Sequence, residues 1–164
     1  MRLAVTTFEA SLVVHVTAAI VGLGSTFVES ITFRVAMSLG PRYLPLKHRL
    51  GLAINLYVAL PALVVLLATG IYQASEAGYD LDAFWLAGAM GIVLVLAVMV
   101  GAYFIPEDRR LEAMVAGELE ASGGGEVRLS DEYRRRVLIE ELLGFVAGML
   151  VVAAVYLMVV KPGL

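Results

Sequence analysis

The sequence predicts an all-α integral membrane protein, an antiparallel bundle of four transmembrane helices. Three observations carry this reading. Hydrophobic residues make up 60% of the chain and charged residues 16%, with a mean hydropathy of +0.88; soluble domains run near 45–50% apolar and about 25% charged. Charged residues leave four long uncharged runs, 10–28, 50–75, 83–106 and 142–160. A helix takes roughly 20 apolar residues to cross a ~30 Å hydrocarbon core, and backbone in lipid has to satisfy its own hydrogen bonds. The basic residues, finally, are sorted by loop. Arg34, Arg42, Lys47 and Arg49 fall in 29–49, and Arg109, Arg110, Arg128, Arg134, Arg135 and Arg136 in 106–141, so that four plus six of the 12 Lys and Arg lie in two alternate loops. The positive-inside rule then places both loops in the cytoplasm and both termini outside.

The predicted helices span about 8–38, 50–75, 83–121 and 130–160 of a single membrane domain, 1–164. The first run is longer than the 7–15-residue core of a signal peptide, so it reads as a retained helix. Residues 39–45 hold Gly40, Pro41 and Pro45 and break the chain on the inner side. Segment 76–82 is a short acidic outer loop with Glu76, Asp80 and Asp82. Leu111, Met114, Val115 and Leu119 recur at helical spacing, which makes 106–121 an amphipathic continuation of the third helix. Residues 122–125 supply a flexible turn. Ser130 is the expected N-cap of the fourth helix, with Asp131 and Glu132 in its first turn. The result is a cytoplasmic helical hairpin between helices three and four.

Within the first helix, Ser11, His15, Ala18, Gly22, Ser25, Glu29 and Thr32 form a small or polar seam at alternating spacings of four and three. Leu12, Val13, Val14, Ile20, Val21, Leu23 and Phe27 fall on other faces, where lipid should meet them. The second helix offers a matching seam, Asn55, Ala59, Ala62, Leu66, Thr69 and Gln73. Antiparallel packing sets Asn55 at the depth of Glu29, and Thr69 and Gln73 at the depth of His15. Pro61 lacks a backbone donor and loosens the turn around Tyr57. The third helix contributes Gly88, Gly91, Ala97 and Gly101; the fourth contributes Glu141 and a GxxxG at Gly144 and Gly148, which suits close packing or a homodimer contact.

The seam holds two intramembrane ionisable residues. They are 14 residues apart, roughly 21 Å along a helix, so they belong to separate sites. Glu29 sits at the inner boundary beside Arg34, Arg49, Asn55, Tyr103 and Glu141, as a polar anchor or a proton or cation site. His15 sits one or two turns inside the outer boundary, either as a hydrogen-bonded interhelical histidine or as a ligand to haem b or a metal. His48 is the second of two histidines and stands apart. A second axial ligand would therefore come from Met90, another side chain, or His15 of a neighbouring subunit.

The string LVVHVTAAIVGLGSTF, together with Thr69-Gly70 in LLATGIY, resembles the first and second helices of a superfamily of small four-helix membrane proteins. It includes the copper-resistance D membrane domain, the haem-dependent membrane protoporphyrinogen oxidase and an uncharacterised family of predicted integral membrane proteins of about this length. The likeness is nearest to the uncharacterised family. It implies a haem or metal role for His15, with Gly22, Thr69 and Met90 around it. Segment 82–88 carries neither the Lys nor the His that the oxidase resemblance implies early in helix three, which argues against porphyrinogen oxidation. The scattered methionines argue against copper export.

Composition excludes other classes. Cys is 0, so thiol and CxxC chemistry and cysteine-ligated metals are out. A net charge of −3 gives no nucleic-acid footprint. No GxSxG, P-loop, GxGxxG or HExxH occurs. Three functions remain: a cofactor-binding electron-transfer or sensing protein at His15; a cofactor-free accessory subunit of a membrane complex; and a small proton- or ion-linked transporter using Glu29. The excess of Arg over Lys points to a GC-rich bacterial genome, and hence to a multi-pass protein of a prokaryotic plasma membrane.

Overall fold

The computed structural model describes residues 5–163; Arg2, one of the two basic residues outside the basic loops, lies outside them. The described residues form no β-strand and four helices long and apolar enough to span a membrane. These are α1, Thr7–Leu39; α2, Pro41–Glu76; α3, Phe84–Ala121; and α4, Asp131–Val160. Both described chain ends lie at one end of the bundle, the terminal end. Gln73 Nε2 donates to Ser11 Oγ there at 3.1 Å, and Lys161 Nζ donates to Tyr79 Oη at 3.4 Å. The other end carries the α3–α4 hairpin.

Local chemistry sets the helix ends. Thr6 caps α1 through a reciprocal box: its hydroxyl accepts from the Glu9 N–H, and its own N–H donates to Glu9 Oε2 at 2.8 Å. Gly40 ends α1 at φ 109, a conformation that side chains disfavour. The chain then re-enters a helix at once. Pro41 opens a 3₁₀ turn and Pro45 lies in the first turn of the α-helix from Leu44. Proline costs little in first turns, where the N–H lacks a partner anyway. So α2 starts at Pro41 rather than near residue 50. Ser130 caps α4 as expected, its hydroxyl accepting from the Tyr133 N–H at 3.2 Å. Ser130→Ala should therefore cost about 1 kcal/mol and fray the hairpin arm, as hydrogen exchange across 131–136 would show; unchanged protection there would mean that packing alone holds the arm.

Three of the helices are interrupted by π-helical turns, Ala19–Leu23, Asn55–Ala59 and Met99–Phe104. Pro61 and Pro106 come after the second and third, and each deprives the preceding turn of a backbone donor. The first has no proline; Gly22 and Gly24 lie there instead. Each such turn carries more residues than an α-helical one and rotates the remainder of its helix. This is why Leu23, expected to face lipid, is only 8% exposed, while Leu12, Val13, Val14, Ile20, Val21 and Phe27 are exposed as anticipated.

The core has two chemistries. Across the membrane-spanning part, Leu23, Leu63, Leu66, Leu96, Val100 and Val151 interlock. Lipid is as apolar as they are, so fit and close approach hold the helices there. Gly22 packs directly on Ala62: a Cβ built on Gly22 would collide with the Ala62 Cβ. The anticipated GxxxG does not act this way. Nothing lies within 4 Å of a Cβ at Gly144, and Gly148 meets only the Phe27 ring edge at 3.7 Å. At the hairpin end Ala36, Leu44, Leu111, Val115, Tyr133 and Val137 form a separate cluster. Water drives that packing, at roughly 1.5–3 kcal/mol per buried large side chain. Around it, Arg136 joins Glu107 at 3.0 Å and Glu132 at 2.9 Å.

Candidate functional site

The α1 seam and the α2 seam meet face to face, and they create two polar places separated by the apolar core. At the terminal end, His15 Nδ1 lies 2.8 Å from Thr69 Oγ1. The Thr69 hydroxyl hydrogen is already committed, since Oγ1 donates to the Val65 carbonyl at 2.6 Å. A hydroxyl has one hydrogen, so this geometry favours a proton on Nδ1 donated to Oγ1. In that tautomer the lone pair lies on Nε2.

His15 lines a cavity of about 330 Å³ with Val16, Ala19, Gly70, Ala89, Met90 and Met158 among its walls. The lining is otherwise apolar, and the volume lies at the lower end of small-ligand sites. His15 and Met90 thus share one cavity. Gly22 is not part of it; it lies on the Ala62 contact and borders a second cavity. Thr69 acts from behind the imidazole. Beyond Met158, Lys161 sits over the rings of Tyr79 and Trp85, 4.9 and 5.1 Å from their centroids.

The second polar place is at the hairpin end. Glu29, Lys47, Asn55 and Glu140 border a cavity of about 60 Å³, and the π-helical turns of α1, α2 and α3 all contribute walls through Leu23, Ala59 and Val100. Leu23 lines both cavities. Behind the smaller one, Lys47 Nζ donates to Glu140 Oε1 at 2.9 Å and stands 3.7 Å from Asp108 Oδ1. His48 Nδ1 is 3.2 Å from Asp108 Oδ1, and its Nε2 is 3.0 Å from Tyr133 Oη. Asn55 Nδ2 donates to Asp108 Oδ2 at 3.4 Å. His48 and Asp108 are fully buried, and Lys47 and Glu140 are each 6% exposed. Gly51 makes room: a Cβ there would stand 3.0 Å from both Asp108 carboxylate oxygens.

Of the cluster expected around Glu29, Asn55 and Glu29 share the cavity wall. Arg34 is exposed, and Arg49 turns outward to Glu112 at 3.0 Å. Tyr103 packs edge-on against Phe104. Glu141 is exposed at the cavity rim, and its neighbour Glu140 takes the interior position. His48 does not stand apart: it meets the Asp108 carboxylate, with Glu140 close by.

Lys47, His48, Asp108, Tyr133 and Glu140 were readable in principle. His48 and Gly51 extend the seam Asn55–Ala59–Ala62 backwards at the same spacing. Asp108 precedes Leu111 and Val115 at three and seven residues. Tyr133, Val137, Glu140, Gly144, Ala147, Val151 and Ala154 alternate by four and three. The seam through Glu141 is one residue, about 100°, out of phase with it.

The family description "Predicted integral membrane protein (DUF2269)" matches residues 10–162. This match supports the membrane family and does not extend to the copper-resistance D and protoporphyrinogen oxidase likeness. No curated protein and no solved structure matches. With the match running over nearly the whole chain and through all four spans, the protein belongs to this DUF2269 family of predicted integral membrane proteins.

Proposed function

We propose that the protein is a membrane cofactor-binding protein that holds haem b, or a comparable flat metal-bearing ring, through Nε2 of His15, in an electron-transfer or sensing role. One observation carries this reading: His15, its Nδ1 2.8 Å from the Thr69 hydroxyl, lines an otherwise apolar cavity, which leaves Nε2 as the nitrogen to ligate. Metal-binding histidines are commonly oriented this way, by a partner on the other ring nitrogen. Met90 and Met158 on the same walls would offer a thioether as a further ligand. Bound there, a haem would supply one-electron chemistry, and the chain would supply orientation and a dry surround. Lys161, two residues beyond Val159 of the cavity wall, would suit a ring carboxylate.

The apolar layer of Leu63, Leu66 and Leu96 between His15 and Glu29 supports two separate sites over one continuous proton or ion path. The sorting of basic residues supports a cytoplasmic hairpin, and the excess of Arg over Lys a prokaryotic plasma membrane.

The test is the visible spectrum of detergent-purified protein expressed with haem supply. A Soret band lost in His15→Ala and altered in Met90→Leu is expected. Protein that purifies folded with no Soret band, or with one indifferent to His15→Ala, would overturn the proposal.

A further inference from the structure

The buried group at the hairpin end is more than a salt bridge. We infer that His48, Asp108 and Glu140 form a second, independent site for a divalent first-row metal ion, with the Lys47 ammonium holding its place when no metal is bound. One ligand atom from each of the three residues falls within a 4.8 Å span. His48 Nδ1 and Asp108 Oδ1 are 3.2 Å apart. Two ligands at about 2.1 Å from a tetrahedral ion stand roughly 3.4 Å from each other, so this pair is already at ligand spacing.

Glu140 supplies an independent pointer to a ligand. Its side chain is 8% exposed, and its Oε2 is a buried oxygen without a hydrogen-bond partner. Buried carboxylate oxygens are rarely left so, and each case calls for a reason. Charge points the same way: two buried carboxylates face one ammonium, with Glu29 on the adjoining cavity wall. Lys47 Nζ lies 2.9, 3.4 and 3.7 Å from Glu140, His48 and Asp108, which marks their common centre as a place that favours a cation.

The surroundings suit a metal centre. Tyr133 fixes His48 from its far nitrogen, and Asn55 steadies the second oxygen of Asp108, the kind of support that orients metal ligands. The adjoining cavity of about 60 Å³ has space for several waters at roughly 10–15 Å³ of such volume each, enough to complete a coordination shell. Lys47 borders that cavity and lies 5.6 Å from the Phe33 ring centroid, so its ammonium has somewhere to go. The donor set decides the class. One imidazole and two carboxylates suit Zn²⁺, Mn²⁺ or Fe²⁺; calcium and magnesium prefer all-oxygen shells, and copper(I) prefers sulfur.

The test uses the full chain in nanodiscs, stripped with chelator and titrated with ZnCl₂ and, separately, MnCl₂. Bound metal is read by elemental analysis after desalting and by the thermal unfolding shift. About one equivalent per chain is expected for the wild type and for His15→Ala, which keeps this result distinct from any cofactor at the other site. Glu140→Gln preserves shape and an acceptor for Lys47, and should weaken binding at least tenfold while remaining monodisperse; His48→Gln should do the same. Lys47→Met removes the competitor and should bind tighter. Metal-free wild type under both ions, or retention undiminished in a folded Glu140→Gln, would overturn the inference. If Lys47→Met fails to fold, the wild type and Glu140→Gln decide the matter alone.

Discussion

Asp108→Ala is expected to lower the unfolding free energy by about 3–5 kcal/mol, the range for breaking a buried ion pair from one side. Asp108 is fully buried and faces Lys47, His48 and Asn55 together. Its removal leaves the buried donors of Lys47, His48 and Asn55 without their shared acceptor. The cluster also ties α2, α3 and α4 at one level, so the loss should appear as one cooperative shift when helicity is followed during denaturation in detergent. Asp108→Asn keeps the volume and one acceptor oxygen, and should cost less. A loss below about 1 kcal/mol for Asp108→Ala, the size of an exposed pair, would mean that the cluster is already hydrated.

Gly22→Ala should destabilise by up to about 2.5 kcal/mol, although alanine is the better helix former. Two effects oppose each other. Replacing a mid-helix glycine gains roughly 0.5–1 kcal/mol from backbone entropy. Forcing a methyl group against Ala62 costs about 1–3 kcal/mol in overpacking, and the overlap here is direct. The collision should win. Gly24 provides the control, because a Cβ there meets nothing within 4 Å; Gly24→Ala should be neutral or stabilising. Adding Ala62→Gly to Gly22→Ala should restore most of the loss, a coupling that a double-mutant cycle reads directly. Independent, additive losses would show that the two helices do not touch there.

The fold was legible because lipid imposes a coarse rule on composition. Runs of uncharged residues marked the four spans, and the small and polar seam of α1 found its partner on α2. The His15–Thr69 pairing came from antiparallel depth alone. The hairpin-end cluster was harder to see, and for a physical reason. Its members lie where charged residues become ordinary, so Lys47, Asp108 and Glu140 read as solvated loop residues. Nothing local tells a charge facing the bundle from one facing water; only continuation of the apolar seam past the edge of the uncharged run does so. The π-helical turns added a second difficulty, since a fixed 100° step misplaces Leu23. Between Glu140 and Glu141, a single step of phase separates a buried charge from a solvated one.

Leu23 borders an oily chamber on one side and a polar one on the other. A single isobutyl group is thus shared by two dielectric compartments. Its bulk is part of the partition between the buried carboxylates and the imidazole. Trimming that side chain would thin the wall between the two rooms.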